Sequence, residues 1–179
     1  MTKEVEIGKA EVTAATKPQD HAAKSGGKGM QRALQRSRAR ETAVQLIYSF
    51  EQNKYVDDGM LLPVEDTDEV TPETLALARE IFAGFVKERA AVDAAVDKRL
   101  ENWTIHRLAV ADRALLRLGA YEILYCPDTP PKVAINECIE LAKRYGSDAK
   151  TAKLVNGVLD KIAREHRPDE VNKRAGKDG

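Results

Sequence analysis

The stretch at residues 108–125, LAVADRALLRLGAYEILY, constrains the fold more than any other part of the chain. Thirteen of its 18 residues are apolar or aromatic, and only Asp112, Arg113, Arg117 and Glu122 carry charge. At 100° per residue, Val110, Ala111, Ala114, Leu118, Tyr121 and Tyr125 fall on one helical face. Leu115, Leu116, Ile123 and Leu124 fall outside that face, so apolar groups surround most of the helix. Such a helix needs neighbours on most sides, or a membrane around it. Four charges in 18 positions argue against the membrane, because each is costly in hydrocarbon. The segment reads as the central helix of an all-helical core.

The flanking sequence supplies the neighbours. Residues 31–53 read as a helix, with Ala39, Ala43, Ile47 and Phe50 on a stripe widened by Val44 and Leu46. Thr71-Pro72-Glu73 is a helix start, with an N-cap, a proline at the first helical position and an acid in the first turn. Ala78, Phe82, Phe85, Val92, Val96 and Leu100 then mark one face, with Gly84 a candidate break and Thr104 a candidate cap for the central helix. Pro127, Pro130 and Pro131 interrupt the chain. Residues 132–145 resume as a helix with Ile135, Cys138, Ile139 and Ala142 inward, ended by Gly146. The last helix starts near Ser147 and turns Leu154, Val155, Val158, Leu159 and Ile162 inward. Gly157 lies within that period and is expected to permit a close helix contact. No strand alternation of useful length occurs, so the fold class is all-α.

Three segments follow. Residues 1–30 have almost no large apolar side chains and read as a disordered extension. Residues 31–165 form the helical domain, and 166–179 a polar tail. The chain between residues 54 and 70, with Gly59, Pro63 and an acidic block, reads as a loop.

The formal net charge of zero hides an asymmetry. Residues 24–40 hold six Lys or Arg and no acid, whereas residues 57–73 hold seven acids and no base. Separated blocks suit a polyanion partner for the basic one, and two solvated segments explain them equally well. Cys126 and Cys138 lack ligand-like spacing, and Cys138 falls on an apolar face as a reduced core thiol. No signal peptide or spanning segment is visible, which points to the cytoplasm.

Catalytic signatures are missing: no Gly-rich phosphate loop, GxSxG, HExxH or zinc-spaced cysteine pair occurs. His21, His106 and His166 are scattered, and no cofactor site or enzyme activity is expected. Binding chemistry is present. Arg36, Arg38 and Arg40 open the first helix, and arginine's planar fork suits phosphates. Lys143, Arg144, Lys150 and Lys153 gather beside Tyr145, the cation-plus-aromatic mixture used on single-stranded RNA. Ordinary solvated faces account for the same residues.

Four stretches add a resemblance. RSRARETAVQLIYSFEQN, ADRALLRLGAYEILY, PPKVAINECIELAKRYG and KLVNGVLDKIA resemble, in this order, successive parts of the NusB family of bacterial transcription antitermination factors. The resemblance runs from about Arg36 to Arg164. It implies two three-helix groups packed across each other around the central helix, without enzymatic activity. It also implies binding to boxA, a short single-stranded element of nascent ribosomal RNA, together with NusE, a ribosomal small-subunit protein. The complex lets RNA polymerase pass terminators. Carried over by position, the RNA surface falls on Arg36, Arg38, Arg40, Tyr145, Lys150, Lys153 and Leu154, and the NusE-facing positions on Tyr48 and Asp112.

Two departures matter. Ser37 interrupts what is often a longer arginine run, and Leu154 stands where many members have an aromatic. Without that ring a stacking platform worth roughly 1–3 kcal/mol per base is missing. NusB-like domains also serve rRNA-modifying methyltransferases as RNA-positioning modules, so a module acting in trans is the alternative, and a dimerisation module a third. The sequence leaves monomer and homodimer open.

Overall fold

The computed structural model describes residues 24–55 and 70–173. Residues 1–23, 56–69 and 174–179 lie outside the described residues, and with them most of the expected extension, most of the acidic loop and the end of the tail.

Among the described residues six helices follow in order: α1 (Lys24–Gln52), α2 (Pro72–Asp97), α3 (Val110–Tyr125), α4 (Pro131–Tyr145), α5 (Thr151–His166) and α6 (Pro168–Asn172), with a 3-10 turn at Ile105–Arg107. No strand occurs among the described residues. The apolar stretch at 108–125 supplies α3. This helix packs against α1, α2, α4 and α5, while α1 pairs with α2 and α4 with α5. The two three-helix groups therefore share α3. Leu115, Leu116, Leu118 and Ala120 are fully buried, as an apolar surface on most sides requires.

The charges of α3 are internal connectors. Arg117, completely buried, donates to Asp93 of α2 at 2.8 and 2.9 Å and to Glu51 of α1 at 2.8 Å. Burial disfavours the charged guanidinium, but the hydrogen bonds with Asp93 and Tyr55 outweigh it and raise the Arg117 pKa above the usual arginine value. Arg113 also pairs with Glu51 and donates to the carbonyls of His106 and Leu108. Glu122 accepts from Arg40 of α1, with Nε 2.9 Å from each carboxylate oxygen. Among the described residues no buried side-chain nitrogen or oxygen lacks a partner.

Several boundaries differ from those expected. α1 begins at Lys24, so residues 24–30, placed in the extension, are helical. Thr104 precedes the 3-10 turn and makes no capping hydrogen bond; Asp97 instead accepts from the Ile105 amide at 2.6 Å. α2 runs unbroken through Gly84, where a Cβ would lie 1.8 Å from the Tyr121 hydroxyl; the glycine makes room for that ring. Gly157 has nothing within 4 Å of a Cβ, so the close approach expected there is absent. Gly119 on α3 makes it instead: its Cβ would lie 2.3 Å from Leu159 and 3.0 Å from the Cys138 sulfur. The tail is helical as far as Asn172, because Arg167 donates to the carbonyls of Thr129 (2.8 Å) and Pro127 (3.0 Å) and Val171 packs on the core. Cys138 is a free, fully buried thiol whose pKa burial pushes well above the usual value.

Candidate nucleic-acid interface

Arg36, Arg38 and Arg40 do not form one ridge. Two residues on a helix are about 200° apart, so Arg38 points away from the other two. Arg36 is exposed and lines a groove of about 260 Å³ with Tyr121, Tyr125 and Asp128. Arg38 is half-buried and lines a different groove beside Arg32, Thr71 and Glu73, at the start of α2. Arg40 is 4% exposed and holds Glu122. It stands on the apolar stripe, one turn before Val44 and two before Ile47, so the helix turns it into the protein. The expectation that Arg40 grips phosphate is corrected: the side chain is buried and its Nε is engaged by an internal carboxylate.

Tyr145 ends α4 and is 41% exposed. Its hydroxyl donates to Glu41 of α1 and accepts from Arg144 at 3.0 Å. The Arg144 guanidinium lies 5.0 Å from the ring centroid and also pairs with Glu41. The ring thus reaches solvent at the α1–α4 junction, fixed by its hydroxyl.

Beyond it, residues 146–150 turn the chain into α5. Lys150, the residue before Thr151, supplies no side-chain cap to that helix. Asp112 of α3 does the equivalent work from outside: its carboxylate accepts from the Ser147 amide (2.9 Å), the Ser147 hydroxyl (2.6 Å) and the Thr151 hydroxyl (3.1 Å). A carboxylate near the start of α5 also complements the positive end of the helix dipole. Asp112 is 6% exposed, which corrects its reading as a partner-facing charge: its oxygens are engaged internally. It fastens the turn whose ends carry Tyr145, Lys150 and Lys153. Asp112→Ala is expected to cost about 1–3 kcal/mol in urea denaturation, since it strands the buried Thr151 hydroxyl and frees both Ser147 donors. A loss within measurement error would show that water replaces the carboxylate.

Lys150 and Lys153 are exposed and Leu154 half-buried. All three line a groove of about 460 Å³ together with Leu108, Val158 and Trp103. Helical periodicity does not single out Trp103, which is 56% exposed; yet a lone tryptophan within Glu101-Asn102-Trp103-Thr104, between helices and among polar residues, is a legible signal. Tyr48 is 42% exposed between the buried Ile47 and Phe50 flanks of α1, so its ring faces outward and is not core.

The NusB family profile matches residues 37–164. The transcription antitermination protein NusB of Desulfitobacterium hafniense is 38% identical over 143 residues, 79% of this chain and 93% of the relative. The NusB protein of Anaeromyxobacter dehalogenans is 42% identical over 129 residues, 72% of this chain and 89% of the relative. Among solved structures, T. maritima NusB superposes with a TM-score of 0.68 at 35% identity, covering 77% of this chain and 96% of that one. A crystal structure of the antitermination factors NusB and NusE in complex with double-stranded RNA gives 0.65 at 28% identity, covering 73% and 97%.

Proposed function

The chain belongs to the NusB family, and from that premise we propose that it is an RNA-binding antitermination factor that engages boxA together with NusE and helps RNA polymerase pass terminators. The observation that carries this reading is the turn from α4 to α5, fastened by the buried Asp112 carboxylate and flanked by exposed Tyr145, Lys150 and Lys153. A surface ordered in advance loses little conformational entropy on binding. The RNA contacts proposed are Arg36, Arg38, Tyr145, Lys150, Lys153 and Leu154, and Tyr48 is proposed to meet NusE. Asp112 supports this surface from behind. The role requires no catalysis and no cofactor, and we place it in the cytoplasm; among the described residues no helix is long and apolar enough to cross a membrane.

Filter binding with boxA RNA, with and without NusE, tests the proposal directly. Retention of RNA by neither the chain alone nor the mixture would refute it. The double substitution Arg36→Ala/Arg38→Ala is expected to weaken binding and to flatten the salt dependence. The log–log slope should fall by about 0.7 for each phosphate of a single strand that is no longer neutralised. Helical content should hold, because alanine is the best helix former. An unchanged slope would make both residues ordinary solvated side chains.

A further inference from the structure

Leu154 offers no ring for base stacking, yet the groove it lines contains the chain's single tryptophan. We propose that Trp103 is the stacking platform of this surface, taking one unpaired base of a single-stranded RNA while Lys150 and Lys153 hold the adjoining phosphates. This rests on the RNA-binding reading above and adds to it a residue from a different part of the chain.

Three observations converge. The first is exposure: an indole 56% open to water is a large apolar surface left uncovered. The second is order. The turn that carries Trp103 is pinned by the fully buried Ile105, whose amide donates to Asp97 at 2.6 Å, and Asn102 beside it takes a left-handed φ of 61°. The ring is therefore presented on a fixed support, and binding need not order it.

The third is the distribution of charge. Lys161 is matched by Glu101 at 3.1 Å, and Arg99 by Glu165, so that part of the groove is neutralised. Lys150 and Lys153 have no ion pair among the described residues, and α5 has no acid in its first turn. The groove thus combines a flat π-face, an apolar lining that includes Leu100, Leu108 and Val158, and two unmatched ammonium groups. A nucleotide presents the complement, a planar base joined to an anionic phosphate. An acidic peptide would satisfy the lysines and leave the indole uncovered.

The lone tryptophan makes the test direct. The full-length chain is titrated with fluorescein-labelled single-stranded boxA RNA, with and without NusE, and binding is followed by anisotropy. In parallel, unlabelled RNA is added to the chain alone while its tryptophan emission is recorded. Stacking should quench the emission with the same midpoint as the anisotropy change. Trp103→Ala should weaken binding roughly 5- to 100-fold, whereas Trp103→Phe, which keeps a ring, should stay within about threefold of the parent. Both variants are checked for an unchanged melting temperature. If the parent binds RNA while its emission stays constant and Trp103→Phe and Trp103→Ala match the parent, the stacking role is overturned and RNA binding stands. If the parent binds RNA neither alone nor with NusE, both fall. Polyglutamate that quenches the emission and competes with RNA would overturn the nucleobase assignment in favour of an acidic peptide.

Discussion

Glu122→Ala is expected to destabilise the protein by roughly 3–5 kcal/mol, because it leaves the Arg40 guanidinium buried without its counter-ion. Arg40 and Glu122 are 4% and 2% exposed, and they tie α1 to α3. Burial opposes the charge on Arg40, and the hydrogen bond and attraction of Glu122 reverse that effect and hold its pKa above the usual value. Remove the carboxylate and the opposition loses its main counterweight, leaving the weaker attraction of Glu137. The double replacement Arg40→Met/Glu122→Leu, of similar volume and without charge, should recover most of the loss. Urea denaturation of Glu122→Ala, Arg40→Ala and the double replacement decides. If Glu122→Ala costs less than about 1 kcal/mol, the guanidinium has found water and the pair is not sealed. The same series bears on RNA binding: Arg40→Ala should change affinity only as far as it unfolds the chain.

Leu118→Ala should cost about 2–5 kcal/mol, the range for deleting a buried leucine side chain. Leu118 is fully buried on α3, which packs against four helices. Closing the cavity would mean moving helices that are themselves held to α3 by ion pairs, so the site has little freedom to collapse. Against a total stability of about 5–15 kcal/mol, the loss should be plain as a fall in the denaturation midpoint. A variant that melts with the parent would mean that this position relaxes freely.

The fold is largely legible in the sequence because α3 is extreme: a surface apolar on most sides needs cover on most sides, and without strand alternation only other helices can supply it. Thr71-Pro72-Glu73 locates the start of α2 because each residue answers a separate local need of a helix N-terminus. The candidate site is less legible. Periodicity assigns a residue to a face but is blind to a partner far along the chain, and Glu122 lies 82 residues from Arg40 and Ser147 lies 35 from Asp112. Either charge in isolation looks like surface. A charged residue on the apolar stripe, as Arg40 is, carries the hint that it is paired inside. Gly157 misleads for a related reason: a small residue within an apolar period permits close approach, but whether a neighbour arrives depends on the crossing of two helices, and Gly119 occupies that crossing.

Because α3 belongs to both helical groups, the domain has no natural line of division. A fragment ending after α2 would lose the carboxylate that Arg40 holds and the guanidinium that bridges Glu51 and Asp93. A fragment beginning at α4 would lose the anchor of the turn that joins α4 to α5. Neither half inherits a complete interior, so the described helices are expected to unfold as one cooperative unit. Substitution in α3 is doubly constrained in the same way: a side chain there that suits one group must also be tolerated by the other.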